Sequence, residues 1–190
     1  VLVVAGDTTA AEVRQLAEKH YGKVPKHAVP ARQRPAEPPQ NASRRVTLTS
    51  AQVRQPSLSL SFIAPSYNGD GGKHAYALQV LDQILGGGAT SRLYKSLVVE
   101  QGLATSAGSS YDAMALDLSS FDFFVSPRPG TDMAPLEAAL RAEIVRVVRD
   151  GVGDDEVALA KRQLRAEAVY ARDALSTAPN ILGRALTTGR

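Results

Sequence analysis

The sequence predicts an α+β domain, two layers deep, with helices packed on one face of a largely antiparallel sheet. Three observations predict it. Leu58, Leu60 and Phe62 point one way while Ser57, Ser59 and Ser61 point the other, the period of a half-buried strand. Residues 103–111 and 118–126 read as the two arms of a hairpin. Helical stripes come in blocks rather than alternating one for one with strands, which disfavours a wound parallel sheet.

The elements follow in order along the chain. Val1–Ala5 is an apolar run typical of a buried strand. A start inside a strand and without Met leads us to expect a fragment or processed product. Gly6-Asp7-Thr8-Thr9 turns into a helix, with Thr8 or Thr9 as cap and Glu12 beside its positive end. Val13, Leu16 and Ala17 form its stripe, and Gly22 stops it. Residues 23–45 carry Pro25, Pro30, Pro35, Pro38 and Pro39 with Arg32, Arg34, Arg44 and Arg45, and read as an extended, solvated linker.

Val46–Thr49 alternates as a strand does, and Pro65–Gly72 reads as a loop. Ala75, Leu78, Leu81, Ile84 and Leu85 form a helical stripe that ends at Gly86-Gly87-Gly88. A short helix follows, capped by Thr90 or Ser91, with Leu93, Leu97 and Val98 apolar, and stops near Gly102. After the hairpin, Thr131 or Asp132 caps a long helix with Leu136, Leu140, Ile144 and Val148 as its stripe. Asp150-Gly151 ends it. Asp154 caps another helix running to about Leu175, and Pro179 opens the last.

Composition narrows the chemistry. At 190 residues, 44% apolar and 22% charged, the chain can bury a core. The absence of Cys excludes disulfides, cysteine nucleophiles and thiolate metal sites. The net charge of +3 is spread among mixed signs, and aromatics are 5% with no Trp, so a nucleic-acid partner is not expected. No apolar run approaches the roughly 20 residues of a membrane span.

Candidate sites fail one at a time. The histidines are His20, His27 and His74; no H-x-x-E-H occurs and no two stand at i, i+4, so no metal site is expected. Asn68–His74 imitates a phosphate loop but has Tyr67 at the first glycine position and His74 where a hydroxyl should hold magnesium. Gly86-Gly87-Gly88 lies between helices, unlike a dinucleotide turn. No G-x-S-x-G occurs, and Asp154-Asp155 is explained by a helix start. The residues alone show no catalytic set.

Residues 81–104 read L-D-Q-I-L-G-G-G-A-T-S-R-L-Y-K-S-L-V-V-E-Q-G-L-A. The string resembles the pitrilysin/insulinase-type zinc metallopeptidases, and in particular bacterial, processing-peptidase-like members. Their second domain carries L-x-x-I-L-G-G-G-x-x-S-R-L-(Y/F)-x-x-L. Val3-Val4-Ala5-Gly6-Asp7, followed by a helix ending Tyr21-Gly22, is similar to the closing strand and helix of the family's first domain. The Pro-rich segment, Pro127-Arg128-Pro129-Gly130 and the next two helices also fit.

The resemblance implies that residues 1–22 close a preceding domain, 23–45 link, and 46–190 form a second domain truncated at its C-terminus. It implies a non-catalytic part of a bacterial zinc metalloendopeptidase that forms a chamber wall and handles peptide substrates. The zinc, on an H-x-x-E-H, belongs to the upstream domain, so this chain should bind no metal and be inactive alone. Some family members place a substrate-holding Arg and Tyr where this chain has Val98 and Thr105. A second family chain would then supply that pair. The alternative is an inactive structural or assembly subunit of the same fold, and residues before Val1 discriminate the two. Val1–Ala5 is further expected to dock on the second domain's open sheet edge, either within one chain or between two chains as a swapped homodimer of the fragment. A periplasmic home fits the family; the residues themselves leave the compartment open.

Overall fold

The computed structural model describes residues 1–28 and 39–188. The chain divides into two compact units, Val4–Val53 and Val1–Val3 together with Arg54–Arg190. Of the expected linker, residues 29–38 lie outside the described residues, including Pro30, Arg32, Arg34, Pro35 and Pro38.

In the smaller unit, α1 spans Ala10–Tyr21. Its start is a capping box at Thr9. The Thr9 hydroxyl accepts from the Glu12 N–H at 3.3 Å, and the Glu12 carboxylate accepts from the Thr9 N–H at 2.8 Å. The Thr9 N–H, with the Thr9 and Thr8 hydroxyls, holds the Glu12 carboxyl below its ordinary value. Gly22 ends the helix as expected. No residue of α1 is buried, and Leu16 is exposed. Val46–Thr49 forms no strand, and Val46 and Leu48 are exposed. Alternation makes a strand only where a neighbour offers backbone groups to pair with.

The larger unit is built on a three-stranded antiparallel sheet of β1 (Leu58–Ala64), β2 (Ala104–Tyr111) and β3 (Ser119–Pro127), in the order β1-β3-β2. The expected hairpin is β2-β3. The register sets Leu58, Leu60 and Phe62 beside Val125, Phe123 and Phe121, and these beside Ala107, Ser109 and Tyr111. That face is the core face, where Phe121, Phe123 and Val125 are buried. Residues 1–5, expected as a strand, have no strand pairing. Val3 instead lies near the last helix, α5 (Thr177–Thr188), with its Cγ2 3.7 Å from where a Cβ on Gly183 would stand.

The helical layer contains α2 (Ala75–Gly86), a π-helical turn (Tyr94–Glu100), α3 (Met133–Asp150) and α4 (Asp154–Tyr170). Leu85, Leu93, Leu97, Leu136 and Leu140 join the buried sheet residues in one cluster. No described helix is long and apolar enough to cross a membrane.

Several ends differ from expectation. Gly153 is the N-cap of α4 and Asp154 its first residue; Glu156 reaches back to the Gly153 N–H at 2.8 Å and does the capping. Asp132 caps α3 by position without a side-chain bond. The α4 helix stops at Tyr170 and tightens into a 3-10 turn, Ala171–Asp173, rather than reaching Leu175. Val169, Tyr170 and Leu175 are all exposed, so packing gives that segment no reason to continue.

Candidate functional site

The glycine-and-arginine string of residues 86–97 is the most distinctive part of the sequence, and the fold uses it to join layers. Gly86 ends α2 directly against β2. A Cβ there would stand 2.8 Å from the Ser109 Cα and closer still to its nitrogen. Beside it the Ser109 hydroxyl donates to the Asp82 carboxylate at 2.6 Å. Burial pushes the Asp82 carboxyl above its ordinary value, against the lowering effect of the Ser109 hydroxyl. Gly88 turns the chain at φ +101°, a conformation other residues rarely adopt. Leu93 and Leu97 then enter the core at 1% and 0% exposure. Ser91, expected to cap, is buried with its hydroxyl unpaired.

Arg92 is a clamp. Its Nε and Nη2 donate to the two Glu156 oxygens at 2.6 and 2.5 Å, and its Nη1 donates to the Gly151 carbonyl at 3.2 Å. The pair ties the start of the π-helical turn to the start of α4. Arg92 brings the Glu156 carboxyl from its ordinary 4.5 down to about 2. A depressed folded-state pKa contributes stability above the unfolded pKa, which is lost as pH falls through the folded one. The window here is pH 4.5 down to about 2. The pair is partly exposed, so its worth at neutral pH is discounted to about 1 kcal/mol. Glu156→Gln, which keeps the cap, should therefore lower stability at pH 7 and match the parent near pH 2. Urea midpoints across that range check it; a gap unchanged with pH would refute the clamp.

A cleft of about 430 Å³ opens beside this clamp, between the π-helical turn, α3 and the loop at Gly151–Gly153. At its wall Glu143 is buried at 4% exposure. One oxygen accepts from the Ser96 hydroxyl at 2.7 Å, and Arg146 lies 3.3 Å from the other. Ser96 in turn accepts from the Gln101 amide at 2.8 Å. The neighbouring Lys95 pairs with Glu100 at 3.8 Å. These charges satisfy one another, so the cleft reads as a structural seam.

The two positions singled out by the family resemblance come to one end of the sheet. Val98 is half-buried in the π-helical turn, and its carbonyl accepts from Arg128 at 3.4 Å. Thr105 is exposed on β2, where the pairing with β3 is irregular. Its hydroxyl accepts from the Gln55 amide at 2.8 Å and donates to the Ser126 carbonyl at 3.3 Å. The sequence marks Arg128 only as part of Pro127–Gly130 and does not mark Gln55, since no spacing signal connects Gln55 to β2.

The histidines lie on separate elements. His20 lies in the last turn of α1, His27 after that helix, and His74 at the start of α2. Among the described residues no group of three or more His, Asp or Glu could hold a metal ion. These residues do not fit a catalytic zinc.

The remaining candidate is the sheet face turned away from the core. The register places Ser59, Ser61, Ser106, Ser110, Ser120 and Ser126 there, around Asp122, Phe124, Ile63 and Gly108. Phe124 and Ile63 are exposed. Hydroxyls both donate and accept, so this face can hydrogen-bond an extended chain without selecting one pattern of partners. It offers binding but no base or nucleophile pair.

The family model described as "Peptidase M16 inactive domain" matches residues 1–164. An uncharacterised zinc protease of Mycobacterium tuberculosis is 30% identical over 187 residues, covering 97% of this chain and 41% of that protein. This chain thus spans about two fifths of that relative's length. The crystal structure of a protease from Helicobacter pylori superposes with a TM-score of 0.82 at 22% identity, covering 97% of this chain and 44% of that one. A peptidase M16 inactive domain from Pseudomonas fluorescens gives 0.61 at 21% identity, covering 84% and 37%. At those identities the two structures speak to the fold.

Proposed function

The chain belongs to the peptidase M16 inactive-domain family, and from that premise we propose that it is the non-catalytic wall of a zinc endopeptidase's peptide chamber. The observation that carries this reading is the open, serine-lined face of the sheet. A sheet in a two-layer domain is covered on one side by its helices; the other side here is hydroxyl-rich with an exposed aromatic ring. Such a surface suits transient contact with extended peptides of varied sequence. Zinc and the general base belong to an upstream domain in this reading, as the name of the mycobacterial relative, a zinc protease, supports.

A second family chain supplies the Arg and Tyr that would hold the substrate carbonyl. Val98 offers a carbonyl where a donor is needed, and the Thr105 hydroxyl is engaged by Gln55 and Ser126. The chain alone should therefore hydrolyse no peptide and hold less than stoichiometric zinc after dialysis.

Photocrosslinking tests the wall. A photoreactive residue at Ser59 of the full-length protein should capture a labelled peptide substrate. The same residue at Val145, exposed on α3, should not. Equal capture at both positions, or none at Ser59, would refute the reading.

A further inference from the structure

We propose that Asn68 is a self-modification site: its amide converts to a carboxylate or an isoaspartyl link, and the docking of α5 sets the rate. The product in turn no longer holds α5.

The sequence marks the position. Of the chain's three asparagines, Asn41, Asn68 and Asn180, only Asn68 precedes a glycine. A glycine carries no side chain to screen its nitrogen. The Gly69 nitrogen attacks the Asn68 Cγ and loses its proton. The bond from Cγ to Nδ2 breaks, and ammonia leaves with that proton. Water then opens the cyclic imide at either carbonyl, giving Asp or its β-linked isomer. Asn68 is exposed, so water reaches it.

The fold gives this amide a task. Asn68 Nδ2 donates to the Ala115 carbonyl and to the Thr188 carbonyl, each at 3.2 Å. Two carbonyl partners identify the nitrogen, since the amide oxygen donates to neither. The amide thus ties its own loop to the β2-β3 loop and to the end of α5. That helix is lightly held. None of its residues is buried. Its Arg184 pairs with Asp112 of the β2-β3 loop at 2.6 Å, and both side chains are half-exposed. An element held by exposed polar contacts opens locally.

Docking restrains the chemistry. The Gly69 N–H donates to the Ser66 carbonyl and hydroxyl, each at 3.2 Å. Attack requires Asn68 to turn from its two carbonyl partners and the Gly69 nitrogen to leave Ser66, which happens while α5 is open. Conversion is then one-way. A carboxylate presents only lone pairs to the Ala115 and Thr188 carbonyls. It also sets negative charge at the negative end of the α5 dipole.

The test uses the 190-residue chain, held at mildly alkaline pH and sampled over weeks by peptide mass mapping. The peptide containing Asn68 should gain the mass of amide-to-acid exchange and become a substrate for isoaspartyl methyltransferase. Peptides with Asn41 and Asn180 should stay unchanged, and Asn68→Gln should abolish the gain. Arg184→Gln and Asp112→Asn cut the same ion pair while changing the local charge in opposite directions. Each should speed conversion about two- to fivefold, the worth of an exposed pair. Circular dichroism checks that both variants are folded. In the converted parent, amide hydrogens of α5 should exchange faster than in fresh protein, while those of α3 keep their rates. No mass gain at Asn68 overturns the site. Equal rates in the parent and both variants, or acceleration in only one variant, overturn control by α5. Unchanged exchange in α5 after conversion overturns its release.

Discussion

Replacing Gly86 by Ala lowers folding stability by about 3 kcal/mol. Helix propensity alone predicts the opposite sign, because Ala in a helix is favoured over Gly by about 1 kcal/mol. The close approach of α2 to β2 decides the matter. The added Cβ would stand 2.8 Å from the Ser109 Cα and nearer to its nitrogen. Those are backbone atoms of a strand already paired with β3, so no flexible side chain can swing aside. Overpacking of this kind costs about 1–3 kcal/mol and occasionally more. Moving the helix outward would also stretch the bond from Ser109 to Asp82. Urea denaturation with an unchanged m-value measures the loss. A stability equal to or above the parent's would show that the two elements can separate freely. Gly88 offers the contrast, since nothing lies within 4 Å of a Cβ there and the cost of substitution is backbone strain alone.

The second large effect is expected at Leu93. It is 1% exposed, inside the cluster that contains Leu85, Leu97, Leu136 and Leu140. Leu93→Ala removes the transfer free energy of the lost carbons and leaves a cavity between layers. Together these cost about 3–4 kcal/mol. Val99, six residues on, is 65% exposed, and Val99→Ala should cost less than about 0.5 kcal/mol. Equilibrium unfolding of the two variants checks the contrast. Similar losses at both positions would mean that the helical turn is not seated as described.

These expectations recast the string of residues 86–97. Its glycines, arginine and leucines are the parts of a joint: close approach at Gly86, a left-handed turn at Gly88, a clamp at Arg92 and two core side chains. The sequence marks the string without saying which of these jobs each residue performs. Gly86 is special only because Ser109 lies against it, and Ser109 is far away in the chain.

The long helix shows the same division at finer scale. The stripe Leu136, Leu140, Ile144, Val148 steps by four residues. Each step advances about 40° around a helix of 3.6 residues per turn. After three steps the drift is about 120°, and Val148 is 83% exposed. The positions that return to the Leu136 side are 143 and 147. One of them is Glu143, whose charge argues for the surface. Its burial is possible because Ser96 and Arg146 meet its two oxygens. Periodicity locates that position; only the partner from another element makes a carboxylate acceptable there.

The sequence by itself determined the elements whose signal is local. The serine–leucine alternation of β1, the hairpin, the cap at Thr9 and the glycine stops all rest on residues within a few places of one another. The family resemblance was legible for a related reason: the residues of the joint between layers stand in one continuous string, 86–97. Tertiary structure alone decided the rest. Val46–Thr49 alternates like β1 yet forms no strand, because pairing needs a neighbour that alternation cannot specify. Val1–Ala5 is apolar yet unpaired for the same reason. The open face depends on register, which sets Asp122 between Ser61 and Ser110 and lays Phe124 over Gly108. A one-residue slip would turn each of those side chains to the opposite face.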